Sequence, residues 1–238
     1  LRGVPVEDRR GAALWMLLIG GGTTALPFSL FAETVMRSSA GFAAVLNASS
    51  PLFSALLAVC VWRESLSAAR AVGLLMGFAG VALLATLREV GPLQIGLDAV
   101  LLGLAGAGCY GLGVQMARRR LGTLAPSAVA TGFSVAGALA LLPWALASLP
   151  QGAPSWPAVL AVLVLGLVST AMGNLMYFRL LDRMGATPAL SVTFLIPPFA
   201  MFWGHLLFDE IPTLAMLAST VIILAGTALR LGWRRTNP

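Results

Sequence analysis

Long apolar runs alternate with short polar breaks along the whole chain. Eight runs, at roughly 11–32, 40–62, 69–87, 97–117, 124–148, 156–180, 186–208 and 212–232, each reach the length a helix needs to cross about 30 Å of hydrocarbon. The breaks include "RESLSAAR" at 63–70, "ARRRLGTLA" at 117–125 and "SLPQGAPSWP" at 148–157. This pattern predicts an all-α, polytopic transmembrane helix bundle with eight helices in the chain. The polar opening "LRGVPVEDRR" before a full-length first run reads as the start of a spanning helix rather than a cleaved signal.

Composition supports the same class. Of 238 residues, 58% are apolar and 10% charged, and the mean hydropathy of +0.91 is far from that of a soluble domain. Cys60 and Cys109 both lie in apolar runs and read as small core residues rather than as a disulfide or a redox pair. All 15 basic residues are arginines, set against nine acids. They are scattered in ones, twos and the triplet 118–120 between apolar segments, which fits membrane flanks and excludes a nucleic-acid partner. With residue 1 on the cytoplasmic side, every arginine but Arg37 and Arg88 falls on that side, so both ends are expected to be cytoplasmic.

Sliding the sequence against itself by 146 positions pairs residues 11–88 with 157–234 without a gap, giving 18 identities in 78 columns. That is roughly twice what an Ala- and Leu-rich composition gives by chance, and it argues for an internal repeat. The matched pairs include Gly20/Gly166, Pro51/Pro197, Phe53/Phe199, Glu64/Glu210 and Gly80/Gly226. Five helices separate the copies, and an odd number places the second copy upside down relative to the first, as in many secondary transporters. The second copy carries two helices, 97–117 and 124–148, that have no counterpart ahead of the first. With Leu at position 1, the chain reads as a fragment of a ten-helix protein or as a natural eight-helix variant.

Two stretches, "SSAGFAAVLNASSPLFSALLAVCVWRESLS" and "MGATPALSVTFLIPPFAMFWGHLLFDEIPT", share an Ala-rich helix entry, a mid-helix proline and a Glu at the helix exit. This pattern resembles the EamA-type transporters of the drug/metabolite transporter superfamily. The resemblance implies eight of an expected ten helices built from inverted five-helix repeats. Residues 1–93 would form an incomplete first repeat of three helices, and 94–238 a second repeat of five. It further implies a carrier in the cytoplasmic membrane, often an exporter, moving small metabolites such as amino acids or amphipathic compounds through a cavity between the halves.

Backbone chemistry points to a place for that cavity. Pro51 and Pro197 each sit in the middle of an apolar run, near the bilayer midplane. A proline removes its own N–H and frees the carbonyl four residues earlier, here those of Asn47 and Thr193. A freed carbonyl is tolerated at that depth only against protein or a wet cavity. Asn47, Pro51, Thr193 and Pro197 are therefore candidate substrate-binding residues; the competing reading is a pair of packed kinks. Tyr110, Asn174 and Tyr177 are candidates for the same cavity, or for interhelical packing. Thr24 and Thr170 read as packing residues, His205 as an interfacial hydrogen-bonding residue, and Glu64 and Glu210 as carboxylates stabilising the start of the helix that follows each.

The remaining chemistry is sparse. The spans contain no carboxylate pair, no His–Cys metal spacing and no Gly-rich phosphate loop, so no catalytic residue, metal or cofactor is expected. A membrane-embedded enzyme or a non-transporting scaffold is the alternative. The expected partners are the lipid bilayer and a small-molecule substrate. All nine acids fall in breaks or at span ends, away from the midplane where a proton relay would be built, so transport is expected to follow the substrate gradient.

Overall fold

The apolar runs form helical rods, and the polar and proline-bearing positions decide where each rod bends or stops. The computed structural model describes residues 6–87, 95–148, 152–173, 175, 176, 179, 183 and 192–232. Helix α1 (Val6–Gly20) passes through a widened, π-helical turn at Gly21–Ala25 into α2 (Leu26–Arg37). Pro27 has no N–H to offer the turn before it, and nearby the Thr23 and Ser29 hydroxyls donate to the carbonyls of Ile19 and Ala25. A break separates α3 (Ala40–Asn47) from α4 (Ser50–Cys60). There follow α5 (Ala68–Thr86), α6 (Leu97–Arg120), α7 (Pro126–Ala147) and α8 (Trp156–Leu163), which widens into a second π-helical stretch at Val164–Met172. A 3₁₀ turn at Val192–Leu195 leads into α9 (Ile196–Phe208), and α10 (Leu214–Gly232) closes the described part. Among the described residues there is no strand.

Among the described residues, five rods are long and apolar enough to cross a membrane: Gly11–Arg37, Ala40–Cys60, Ala68–Thr86, Leu97–Arg120 and Pro126–Ala147. Trp156–Met172, Ile196–Phe208 and Leu214–Leu229 are shorter apolar helices. Large apolar side chains such as Leu75, Trp144 and Trp156 lie exposed, as surfaces that meet lipid rather than water do. The first rod outruns its expected end at 32 and reaches Arg37, because Glu33 and Arg37, one turn apart, pair on its surface at 3.1 Å. Helix α6 likewise carries the arginine triplet inside its last turn, where cations suit the negative end of the helix dipole.

Two clusters hold the rods together. The larger joins Phe42, Val45 and Leu46 of α3 to Leu52 of α4, Val81 and Leu84 of α5, Val100 of α6, Met201 of α9, and Met216 and Ile223 of α10. The smaller sets Met16 and Ile19 of α1 and Leu121 against Val129 and Phe133 of α7.

The expected 146-residue spacing recurs in the geometry. Adding 146 to the bounds of α5 gives those of α10. Arg63 and Asp209, also 146 apart, are the described non-glycine residues with left-handed backbone, at φ 51° and 54°. After each, a glutamate N–H turns back to a carbonyl, Glu64 to Ala58 at 3.0 Å and Glu210 to Gly204 at 3.2 Å, closing the end of the helix before it. Where α5 crosses α10 the contacts come in reciprocal pairs. A methyl on Gly80 would meet Ile223 at 2.8 Å, and one on Gly226 would meet Gly77 at 2.7 Å. Position 80 of one helix thus faces the counterpart of 77 on the other, in both directions.

The glutamates depart from the sequence reading. Glu210 does not stabilise the helix that follows it; its carboxylate accepts from the backbone N–H groups of Ala40 at 3.0 Å and Gly41 at 3.4 Å, at the start of α3. Glu64 pairs instead with Arg118 and, at 2.6 Å, with Arg119. His205 fits its expectation as a hydrogen-bonding residue, with Nδ1 at 3.0 Å from the Glu210 carbonyl oxygen.

Candidate functional site

The stretch "LNASSPLF" folds as two helix ends meeting head to tail. Pro51 sits in the first turn of α4, where its missing N–H costs nothing to that helix, while α3 stops at Asn47. The carbonyls left over are taken up by neighbouring hydroxyls: Ser49 Oγ donates to the Leu46 oxygen at 2.6 Å and Ser50 Oγ to the Asn47 oxygen at 2.7 Å. Ser50 Oγ also lies 3.1 Å from Asn47 Oδ1. The carbonyl freed by Pro51 is therefore already satisfied by Ser50, and the polar group left at the break is the Asn47 side-chain amide. Its nitrogen has no protein acceptor among the described residues.

A cavity of about 310 Å³ opens beside this break. Asn47, Ala48, Ser50 and Pro51 form one wall, with Tyr110 of α6 beside them. Phe194 of the 3₁₀ turn, Ile196 at the start of α9 and Leu224 of α10 form the rest. Among the described residues, none of those lining it is charged. The cavity thus offers an amide, a hydroxyl and a phenol set in apolar and aromatic walls, the balance typical of small-molecule sites.

Tyr110 is held from behind. Its ring stacks on Phe31 with centroids 5.8 Å apart and meets the edge of Phe28 at 6.3 Å. Helix α6 reaches α4 closely enough to place it because Gly111 has no side chain; a methyl there would lie 2.6 Å from the Ser54 backbone nitrogen. One turn further along, Gln115 Nε2 donates to the Ser54 carbonyl at 2.8 Å and to its hydroxyl at 3.0 Å, locking the same helix pair. Gln115 Oε1 is buried without a partner among the described residues.

Charges gather at the two ends of the bundle, away from the cavity. Arg37 bridges Glu33 and Asp98 at one end, the latter at 2.6 Å. At the other, Arg118 and Arg119 share Glu64, while Arg119 lies over the Trp62 ring at 4.6 Å and Arg120 over Trp15 at 4.4 Å. The arginine triplet therefore has specific protein partners besides its place at a membrane flank.

Of the residues expected from sequence, Asn47, Pro51 and Tyr110 come together in the cavity wall. Thr193 lies in the 3₁₀ turn, next to the lining residue Phe194. Pro197 is buried in the first turn of α9, beside Ile196 but not in the lining. Asn174 and Tyr177 lie outside the described residues. Sequence reasoning missed Ala48, Ser50, Phe194, Ile196 and Leu224. The repeat held the signal for two of these, since Phe194 and Ile196 are the counterparts, 146 positions on, of Ala48 and Ser50.

The sequence model of the EamA-like transporter family matches residues 2–86 and 97–232. Among similar proteins, an uncharacterized transporter of Archaeoglobus fulgidus is 24% identical over 79% of this chain and 66% of its own length. A chloroplastic WAT1-related protein of Arabidopsis thaliana is 31% identical over 82% of this chain and 49% of its own length. The uncharacterized transporter YvbV of Bacillus subtilis is 29% identical over 70% of this chain and 54% of its own length. The chain thus spans between about half and two thirds of these relatives. A solved crystal structure, 20% identical, superposes with a TM-score of 0.61 over 99% of this chain and 82% of the other, a likeness of fold.

Proposed function

Because the chain belongs to the EamA-like transporter family, we propose that it is a carrier for small metabolites, such as amino acids or amphipathic compounds, in the cytoplasmic membrane. In this reading two inverted repeats, residues 1–93 and 94–238, face each other across the cavity, both ends of the chain are cytoplasmic, and export proceeds by alternating access. One observation carries the proposal: the broken helix at Asn47–Pro51 and its counterpart segment at Phe194–Ile196 line one and the same cavity. A substrate there meets the Asn47 amide, the Ser50 hydroxyl and the Tyr110 and Phe194 rings, and no charged side chain among the described residues. Such walls favour a ligand with a flat or branched apolar body and a small polar group able to accept from the amide.

The same lining bears on energetics. With no carboxylate or imidazole in the wall among the described residues, that wall offers no group suited to carrying a proton between the two faces. Transport then runs down the substrate gradient.

The test is flux in proteoliposomes loaded with a panel of neutral amino acids and amphipathic aromatic compounds. At least one should exchange across the membrane faster than in empty liposomes. An imposed pH gradient without a substrate gradient should produce no accumulation. Accumulation that collapses with an uncoupler would overturn the uncoupled mechanism, and absence of flux for the whole panel would overturn the carrier reading for these substrate classes.

A further inference from the structure

Helices α3 and α9 run antiparallel. At one end of the pair Asn47 and Ile196 both line the cavity. At the other, about 10 Å away along α3, the Glu210 carboxylate spans the gap between the helices and takes the N–H groups of Ala40 and Gly41. Ser39 Oγ accepts from the third free N–H, that of Phe42, at 3.1 Å. Of the first three N–H groups of α3, one is thus capped by the adjoining Ser39 and two by a residue from the other half of the sequence.

The contact has a built seat. A methyl on Gly204 would run into the Glu210 carboxylate, so that glycine leaves the space the carboxylate fills. Gly41 lies flush against α9 and α10, since a methyl there would come within 2.7 Å of Met216 and 2.9 Å of Met201. The left-handed turn at Asp209 and the His205–Glu210 hydrogen bond hold the glutamate's backbone in place.

Glu64, the counterpart of Glu210, is differently engaged. It stands at the opposite end of the bundle and gives its carboxylate to Arg118 and Arg119 rather than to a helix start. The two related carboxylates are therefore in unlike states at the two ends of one molecule.

Resting on the carrier reading above, we infer that Glu210 is a latch: its carboxylate holds α9 against the start of α3 and keeps the cavity closed towards the Ser39 end. Releasing it lets the α3–α9 pair part from that end and opens a path to Asn47. In this conformation Glu64 is restrained by the two arginines and does not close the other end.

The latch is tested by thiol accessibility, independently of any substrate. In a chain whose Cys60 and Cys109 are replaced by serine, a single cysteine at Ala48 reports on the cavity. Its reaction with an impermeant methanethiosulfonate is followed from each side of oriented membrane vesicles. Glu210→Ala should speed labelling from the Ser39 side by about ten- to a hundredfold, the factor by which losing a hydrogen bond to a charged group shifts an equilibrium. Ala40→Pro provides a second route. Proline suits the first helical position, Ser39 already has the extended backbone a following proline requires, and the variant removes the shorter of the two donors without touching the carboxylate. It should speed labelling from the same side. Glu64→Ala should not.

Unchanged labelling in both Glu210→Ala and Ala40→Pro, with the proteins monodisperse, overturns the latch. So does acceleration only from the Arg118 side. Flux assays fail separately: a labelling shift without flux rejects the carrier reading for the substrate classes tested and leaves the latch standing, whereas flux without a shift rejects the latch alone.

Discussion

At the scale of single residues the break between α3 and α4 is the informative place. Pro51 announces the break in sequence because its lost N–H is a local, covalent fact. Asn47 could be named with it because its carbonyl lies four residues earlier. What the sequence did not disclose is that Ser50 takes that carbonyl, since a hydroxyl can turn to any of several neighbours and its choice depends on the backbone it helps to shape. In the carrier reading, the side-chain amide of Asn47 rather than its carbonyl is then the group left to meet a substrate. Asn47→Ala should lower flux about tenfold, the loss of one hydrogen bond worth about 1.4 kcal/mol, while leaving expression and elution profile unchanged. Pro51→Ala restores an N–H that competes with Ser50 for the same oxygen and straightens the rod, and it should reduce flux at least as much. Normal flux in both variants would make the break a packing feature only.

At the scale of elements, the rods were legible because an apolar run of about 20 residues has few other fates in a membrane. Their ends were less so. Reading Glu33 and Arg37 as the polar exit of the first rod placed its end too early, because paired charges one turn apart sit comfortably on a helix. The destination of Glu210 was out of reach, since its partners lie 170 and 169 positions away. Glycines divide only with the structure in hand. A methyl on Gly226 would meet the backbone of Gly73 and Gly77, which cannot yield, whereas one on Gly166 would meet nothing within 4 Å among the described residues. Gly226→Ala should therefore destabilise by about 1–3 kcal/mol. Gly166→Ala should be neutral, or stabilising by up to about 1 kcal/mol through helix propensity. Thermal melts in detergent distinguish them, and equal losses at the two positions would contradict the crossing geometry.

At the scale of the molecule, the distribution of arginines sets an expected orientation that labelling can check. Leu121 would be a poor reporter because it is buried in the smaller core cluster, but Thr123 in the same loop is exposed. A cysteine at Gly152 should react with an impermeant reagent from outside intact cells, and one at Thr123 only after permeabilisation. The reverse pattern would overturn the orientation, while the inverted relation of the halves, which rests on the odd number of helices between them, would stand. The α5–α10 crossing carries a further consequence, for how such a chain changes over generations. Its contacts are reciprocal, as in a pair of identical subunits meeting across a two-fold axis. In such a pair every mutation strikes the contact twice. Here the two helices are encoded separately, so a mutation strikes once and its neighbour can absorb it. Position 77 is a case in point: it is glycine, with Leu52 filling the space beside it, while its counterpart 223 is isoleucine packed on Gly80. Letters are then free to drift while the crossing is inherited intact, and the geometry outlives the likeness of the helices that make it.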